Sequence, residues 1–261
     1  MTITLPLVLY KVTDRIATIT LNRPDKRNAF NPELVSSLTE AFLRASDDEE
    51  VKVIVLKAAG TTFSAGADLA YLQQLQNNTH EENIRDSENL KNLFTTIYYL
   101  SKVVIAQVEG HAIAGGCGLA TICDITFAVP EANFGYTEVK LGFVPAIVSC
   151  FLTRKTSETI AKKILLTGDL FSAEQALAYN LITYVTNKEE IDHTVSDFAK
   201  KLCEQASGNS LMITKQLIGQ TTNPGLEKSL KLAVQINAMV RESADFKKGI
   251  AAFISKEQVK W

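Results

Sequence analysis

Residues 110–124 read GHAIAGGCGLATICD, with glycines at 110, 115, 116 and 118. They follow the apolar run 103–108 (VVIAQV) and lead into an apolar segment of helix length. Glycine weakens a helix by roughly 1 kcal/mol per residue, but it allows positive φ and close approach to the backbone. Four glycines where a strand gives way to a helix therefore point to a demand other than helix stability. Gly110 and Gly115 have the outer spacing of a P-loop, yet Gly116 and Cys117 stand where Lys and Ser or Thr must follow. Without that lysine the β- and γ-phosphates lose their charged partner. The G-x-G-x-x-G spacing of a dinucleotide site is not matched either. A third reading uses the main chain. A helix starting near 115–116 presents unpaired N–H groups and the positive end of its dipole. The turn FSAGADL (63–69) presents N–H groups around Gly66 and Ala67 after another buried strand. Brought together by adjacent strands, the two turns make an oxyanion hole, where one lost donor costs about 100- to 1000-fold in rate. Close helix–strand packing explains some of the glycines but not both turns.

Working outward, residues 8–24 (VLYKVTDRIATITLNRP) read as two strands joined near 13–14, the second over 16–21. Asn31-Pro32 is a helix start, and ELVSSLTEAFLRAS (33–46) puts Leu34, Leu38 and Phe42 on one face. Buried strands are predicted over 51–56, 103–108 and 124–129, helices over 70–76 and 81–100, and a loop over 57–69. Ser172 and Gln175 form a capping box, and a short strand is predicted within 181–185. Beyond about residue 190 only helical patterns remain. The strand–loop–helix unit occurs twice, at 51–69 and 103–122, and the pattern predicts an α/β core over 1–195 with a helical region over 196–261.

The chain has 261 residues, 46% hydrophobic and 21% charged, with a formal net charge of −2. That balance gives no electrostatic case for nucleic acid or an anionic membrane as partner. Cys117, Cys123, Cys150 and Cys203 form no CxxC pair and there are three histidines, so no zinc site is expected and the cysteines read as buried, reduced thiols. The N-terminus lacks the basic and apolar regions of a signal peptide, and no apolar run approaches the roughly 20 residues of a membrane span. The expectation is a soluble cytoplasmic protein.

Five motifs occur in an order and spacing that resemble the crotonase (enoyl-CoA hydratase/isomerase) superfamily. They are LNRPDKRNAF (21–30), FSAGADL, AGGCGLATICD (114–124), FGYTEVKLGFVPA (134–146) and LTGDLFSAEQALAYNLI (166–182). The resemblance covers nearly the whole chain and feels closest to bacterial methylglutaconyl-CoA hydratases of leucine breakdown. It implies a spiral of ββα units with a helical C-terminal region that forms trimers or pairs of trimers. It also implies an acyl thioester of coenzyme A as substrate, with no separate cofactor. The thioester oxygen would sit between the amides of Ala67 and Gly115, with Gly115 and Gly116 letting the thioester lie against the backbone. The nucleotide would lie along Lys26, Arg27, Ala29, Ala65, Asp68 and Leu69, closed by Phe253 and Lys256 from the C-terminal segment. Glu138 matches one of two glutamates used by hydratases.

Two departures stand out. The position of the other glutamate is Gly118, and PAIVS (145–149) replaces the hydratases' PGAGG, which lines the acyl pocket with bulkier groups. The resemblance therefore implies water addition by a single carboxylate, with Δ3–Δ2 enoyl-CoA isomerisation as the alternative, since one base suffices for it. A non-catalytic acyl-CoA-binding protein or an RNA-binding relative is the reading from another class; the absence of a Lys/Arg cluster argues against RNA. Glu81, Glu82, Asp86 and Glu88 are candidates to replace the missing acid. Arg85, Lys140, Arg154 and His111 are candidates to meet a distal carboxylate on the substrate.

Overall fold

The computed structural model describes residues 6–221, 226–255 and 257. Strands β1 (Val8–Thr13) and β2 (Ile16–Leu21) form an antiparallel hairpin. Its two turn residues, Asp14 and Arg15, have φ of 52° and 65°, the conformation that matches the twist of a two-residue hairpin. Helix α1 (Pro32–Asp47) starts where Asn31 accepts a hydrogen bond from the Leu34 N–H at 3.0 Å, and it buries Leu34, Leu38 and Phe42.

Three turns of a spiral follow, each giving one strand to each of two sheets before turning helical. The first is β3 (Val53–Ala58), β4 (Thr62–Ser64), α2 (Leu69–Leu75) and α3 (His80–Tyr99). The second is β5 (Val103–Val108), β6 (His111–Ile113) and α4 (Gly115–Ile122). The third is β7 (Ile125–Ala128), β8 (Asn133–Gly135), a 3-10 turn over Glu138–Leu141, then α5 (Ala146–Lys155) and α6 (Glu158–Thr167). Then come β9 (Phe171–Ser172), α7 (Ala173–Ala178), capped by Ser172 and Gln175 as predicted, and β10 (Tyr184–Val185). Helices α8 (Ile191–Gln205), α9 (Gly208–Thr221), α10 (Leu226–Glu242) and α11 (Ala244–Ser255) complete the chain.

The larger sheet has the order β1-β2-β3-β5-β7-β10, parallel from β2 onward. All six residues of β5 are buried, as a strand covered on both faces must be. The smaller sheet runs β4-β6-β8-β9, and its first three strands are parallel. This is the ββα spiral that the motifs imply. The segment 57–69, read as a loop, contains β4, and the unit read twice occurs three times. The expected boundary after residue 195 falls within α8, whose Ile191, Val195, Ala199 and Cys203 are buried. Cys150 is exposed on α5, against the expectation that all four thiols are buried. Among the described residues no helix is long and apolar enough to cross a membrane.

The smaller sheet positions the site. Ser64 pairs with Ala112, and Ala112 and Ile113 pair with Phe134 and Gly135. Parallel pairing brings the carboxyl ends of β4, β6 and β8 to one edge, so the segments that follow them are neighbours.

Candidate active site

The turn after β4 is held by the segment before α1. Phe30 N–H donates to Gly66 O at 2.6 Å and Asp68 N–H donates to Phe30 O at 2.8 Å. In a parallel bridge of this kind the intervening residue, Ala67, turns its own N–H to the opposite side. Gly66 has φ of +87°, and a Cβ built on it would lie 2.8 Å from Ala114 Cβ and 3.0 Å from Ile113 O. The two turns read from the sequence therefore touch.

On the other side, Ala114 N–H donates to Gly135 O at 2.7 Å, and its φ of 51° with ψ of −124° turns the chain sharply into α4. Such a conformation is costly for a residue with a Cβ and persists where the surroundings impose it. Gly115 is the first residue of α4, so its N–H has no acceptor within the helix. Among the described residues neither the Ala67 nor the Gly115 amide meets an acceptor. Ala67 is exposed and Gly115 half-buried.

The glycines themselves serve the protein's own packing. A Cβ on Gly116 would lie 2.6 Å from Ser64 Cβ, one on Gly110 2.2 Å from Thr61 O, and one on Gly115 3.3 Å from the Phe30 ring. The missing side chains of Gly115 and Gly116 make room for Phe30 and Ser64. Gly118 is closed in the same way, by Val148 and Phe94.

Glu138 opens the 3-10 turn after β8 and is half-buried. Its Oε2 is buried and, among the described residues, has no hydrogen-bond partner. Burial pushes its carboxyl above the ordinary glutamate range, partly offset by its own backbone N–H. Two residues earlier the buried Tyr136 hydroxyl lies 2.9 Å from Thr121 Oγ1, which donates to Cys117 O at 2.9 Å. The thiol of Cys117, pushed up to about 12 by burial, also feels the charge of Glu138. Tyr136, two residues before Glu138, is thus tied to α4.

The segment 23–30 is tied to the same edge by Asn28, fully buried with φ of 52°. Its side chain accepts from Arg23 N–H at 2.8 Å and donates to Ala59 O at 2.9 Å and Thr62 O at 2.8 Å. Ala65 N–H donates to Arg27 O at 3.0 Å, so Lys26, Arg27 and Ala29 run beside Ala65. Lys26, Arg27 and Leu69 are exposed, whereas Ala29 is buried. The Asp68 carboxylate pairs with Arg23 at 2.7 Å and caps α2 through Ala70 N–H, and the Arg23 hydrogen bond holds it below the usual carboxylate range. Arg23 and Asn28 escaped the sequence reading. The signal for Asn28 was a polar residue of the type that tolerates positive φ, inside a motif. Lys256 and the side chain of Phe253 lie outside the described residues.

The candidate replacement acids are engaged elsewhere or exposed. Glu82 closes a capping box with Thr79, Asp86 accepts a short hydrogen bond from Tyr71, and Glu81 and Glu88 are exposed. Among the candidate cations, Lys140 pairs with Asp169 at 2.9 Å and His111 Nδ1 accepts from Asn133 N–H at 3.1 Å. Arg154 lines a groove of about 430 Å³ between α3 and α5, with Lys91, Tyr98 and Phe151.

Two sheets wound as a three-turn spiral of ββα units are the architecture of the crotonase class. The family described as enoyl-CoA hydratase/isomerase matches residues 11–261, and the chain belongs to it. It is 42% identical to a Thermus thermophilus protein provisionally named an enoyl-CoA hydratase, over 92% of this chain and 95% of that one. It is 27% identical to a trans-2-decenoyl-[acyl-carrier-protein] isomerase of Streptococcus mutans, over 97% of each chain. An enoyl-CoA hydratase crystal structure from Shewanella pealeana superposes with a TM-score of 0.93 at 28% identity, covering 98% of this chain and 96% of that one.

Proposed function

We propose that this enzyme adds water across the α,β double bond of an enoyl thioester of coenzyme A, with Glu138 as its proton-transfer group. The observation that carries the reading is the buried, unpartnered Glu138 Oε2 on the same sheet edge as the unpaired amides of Ala67 and Gly115. The ionised Glu138 takes a proton from water as the water oxygen bonds to C3. The electron pair of the double bond moves to C2 and on to the thioester oxygen, where the two N–H groups meet the developing charge. Protonated Glu138 then returns a proton to C2, and the products balance as one added water. The nucleotide lies along Lys26, Arg27, Ala29, Ala65, Asp68 and Leu69, with Phe253 and Lys256 closing it. Since the Asp68 carboxylate is engaged with Arg23, Asp68 contributes through its backbone. Gly116 acts by seating the turn against Ser64. The substrate proposed in particular is methylglutaconyl-CoA.

A second reading, Δ3–Δ2 isomerisation, is favoured by Gly118. One carboxylate can remove a proton from C2 and return it to C4, and no second acid stands at 118. The S. mutans relative is named as an isomerase. The test offers crotonyl-, 3-hexenoyl- and 3-methylglutaconyl-CoA separately. Hydration of the first or third supports the proposal; a shifted double bond in 3-hexenoyl-CoA with no hydration of any of them installs the second reading. Glu138→Gln should lower turnover by about 10²- to 10⁴-fold. Unchanged turnover would remove Glu138 from the proton transfer and overturn the assignment.

A further inference from the structure

Position 118 is closed from two elements at once. A Cβ there would lie 2.5 Å from Val148 Cγ1 on α5, and 2.9 Å and 3.0 Å from Cε1 and Cζ of Phe94 on α3. Phe94 is fully buried and its ring stands 6.0 Å from that of Phe151; Val148 is 5% exposed. Valine is stiff at χ1, and a ring packed on a second ring does not swing aside without opening a cavity. The loss of a carboxylate at 118 and the bulky PAIVS segment, separate departures in the sequence, are therefore one feature: Val148 of that segment fills the space that a side chain at 118 would use.

We infer that Phe94 and Val148 are specificity-determining residues. They exclude a second acid and the water it would hold from the α4 side of the site, and so restrain water addition relative to movement of the double bond. This rests on the reading of Glu138 given above.

The experiment uses the full chain and measures the ratio of 2-hexenoyl-CoA hydration to 3-hexenoyl-CoA isomerisation, with thermal midpoints alongside. Gly118→Glu alone should lower the midpoint without raising the ratio. In a Val148→Ala/Phe94→Leu background the same substitution should recover the midpoint relative to that background and raise the ratio about tenfold or more. Gly118→Glu accommodated alone at an unchanged midpoint, or a folded triple variant with an unchanged ratio, overturns the inference. Should the triple variant not fold, Val148→Ala carries the test: a raised ratio supports the plug and an unchanged one overturns it. Glu138→Gln separates the two readings. If it leaves turnover unchanged, the reaction assignment fails, and the plug is then judged by the midpoints of Gly118→Glu with and without the relieving substitutions.

Discussion

Glu138 holds a carboxyl where water cannot reach one of its oxygens, and two consequences can be measured. Its ionised form starts the reaction, so kcat/KM should fall on the acid side with an apparent pKa above that of an ordinary glutamate. A pH–rate profile checks this, and an acid limb at the ordinary value would contradict it. The same burial acts on stability. Between the unfolded and the raised folded pKa the native state binds more protons, so stability falls as pH rises through that window. The penalty is complete above the folded pKa and absent below the unfolded one. Glu138→Gln should therefore raise the melting temperature at pH 8, with the gain shrinking toward pH 4. Sequence alone marked Glu138 through its motif, because a lone glutamate has no periodicity to distinguish it from a surface charge. Asn28 went unread for a different reason: its three partners come from Arg23, Ala59 and Thr62, and only the folded chain brings them together.

At the scale of elements, Gly116 at the start of α4 and Gly142 after the 3-10 turn show two uses of glycine. Gly116 has no room for a Cβ because Ser64 Cβ and O both stand 2.6 Å from where it would be. Gly142 has φ of +72° and nothing within 4 Å. Gly142→Ala should cost about 1 kcal/mol from backbone strain alone. Gly116→Ala must displace β4 from α4 and should cost well beyond that, with activity lost. Urea midpoints of the two variants check the order, and equal midpoints would refute it. The strand-to-helix change at 110–124 was legible because both flanks are long and apolar. The strands of the smaller sheet were not: β4, β6 and β8 are three residues each, too short for alternation to show. The start of β3 was read two residues early because Val51, though buried, precedes the ladder.

At the scale of the whole molecule, the C-terminal helices leave apolar side chains uncovered. Leu230, Val234 and Met239 on α10 and Phe246 and Ile250 on α11 are exposed in the single chain. We propose that further copies of this chain cover them, in a trimer or a pair of trimers. Val234→Asp, placing a charge on a residue 69% exposed in the monomer, should shift the mass measured by light scattering toward the single chain. An unchanged mass would place the contact elsewhere. The α/β order and the helical end were legible in the periodicity, whereas the spiral came from the motifs, since nothing local says which strand pairs with which. That pairing also governs how the chain must refold. After the β1–β2 hairpin, each central ladder joins strands separated by a whole helical excursion, Val53 to Val103 among them. Every such link closes a long loop before it gains a contact, and chains built this way refold slowly, in milliseconds to seconds or longer. Until the third turn arrives, β5 waits with an open edge, so dilution from denaturant at high protein concentration should favour aggregation over recovery.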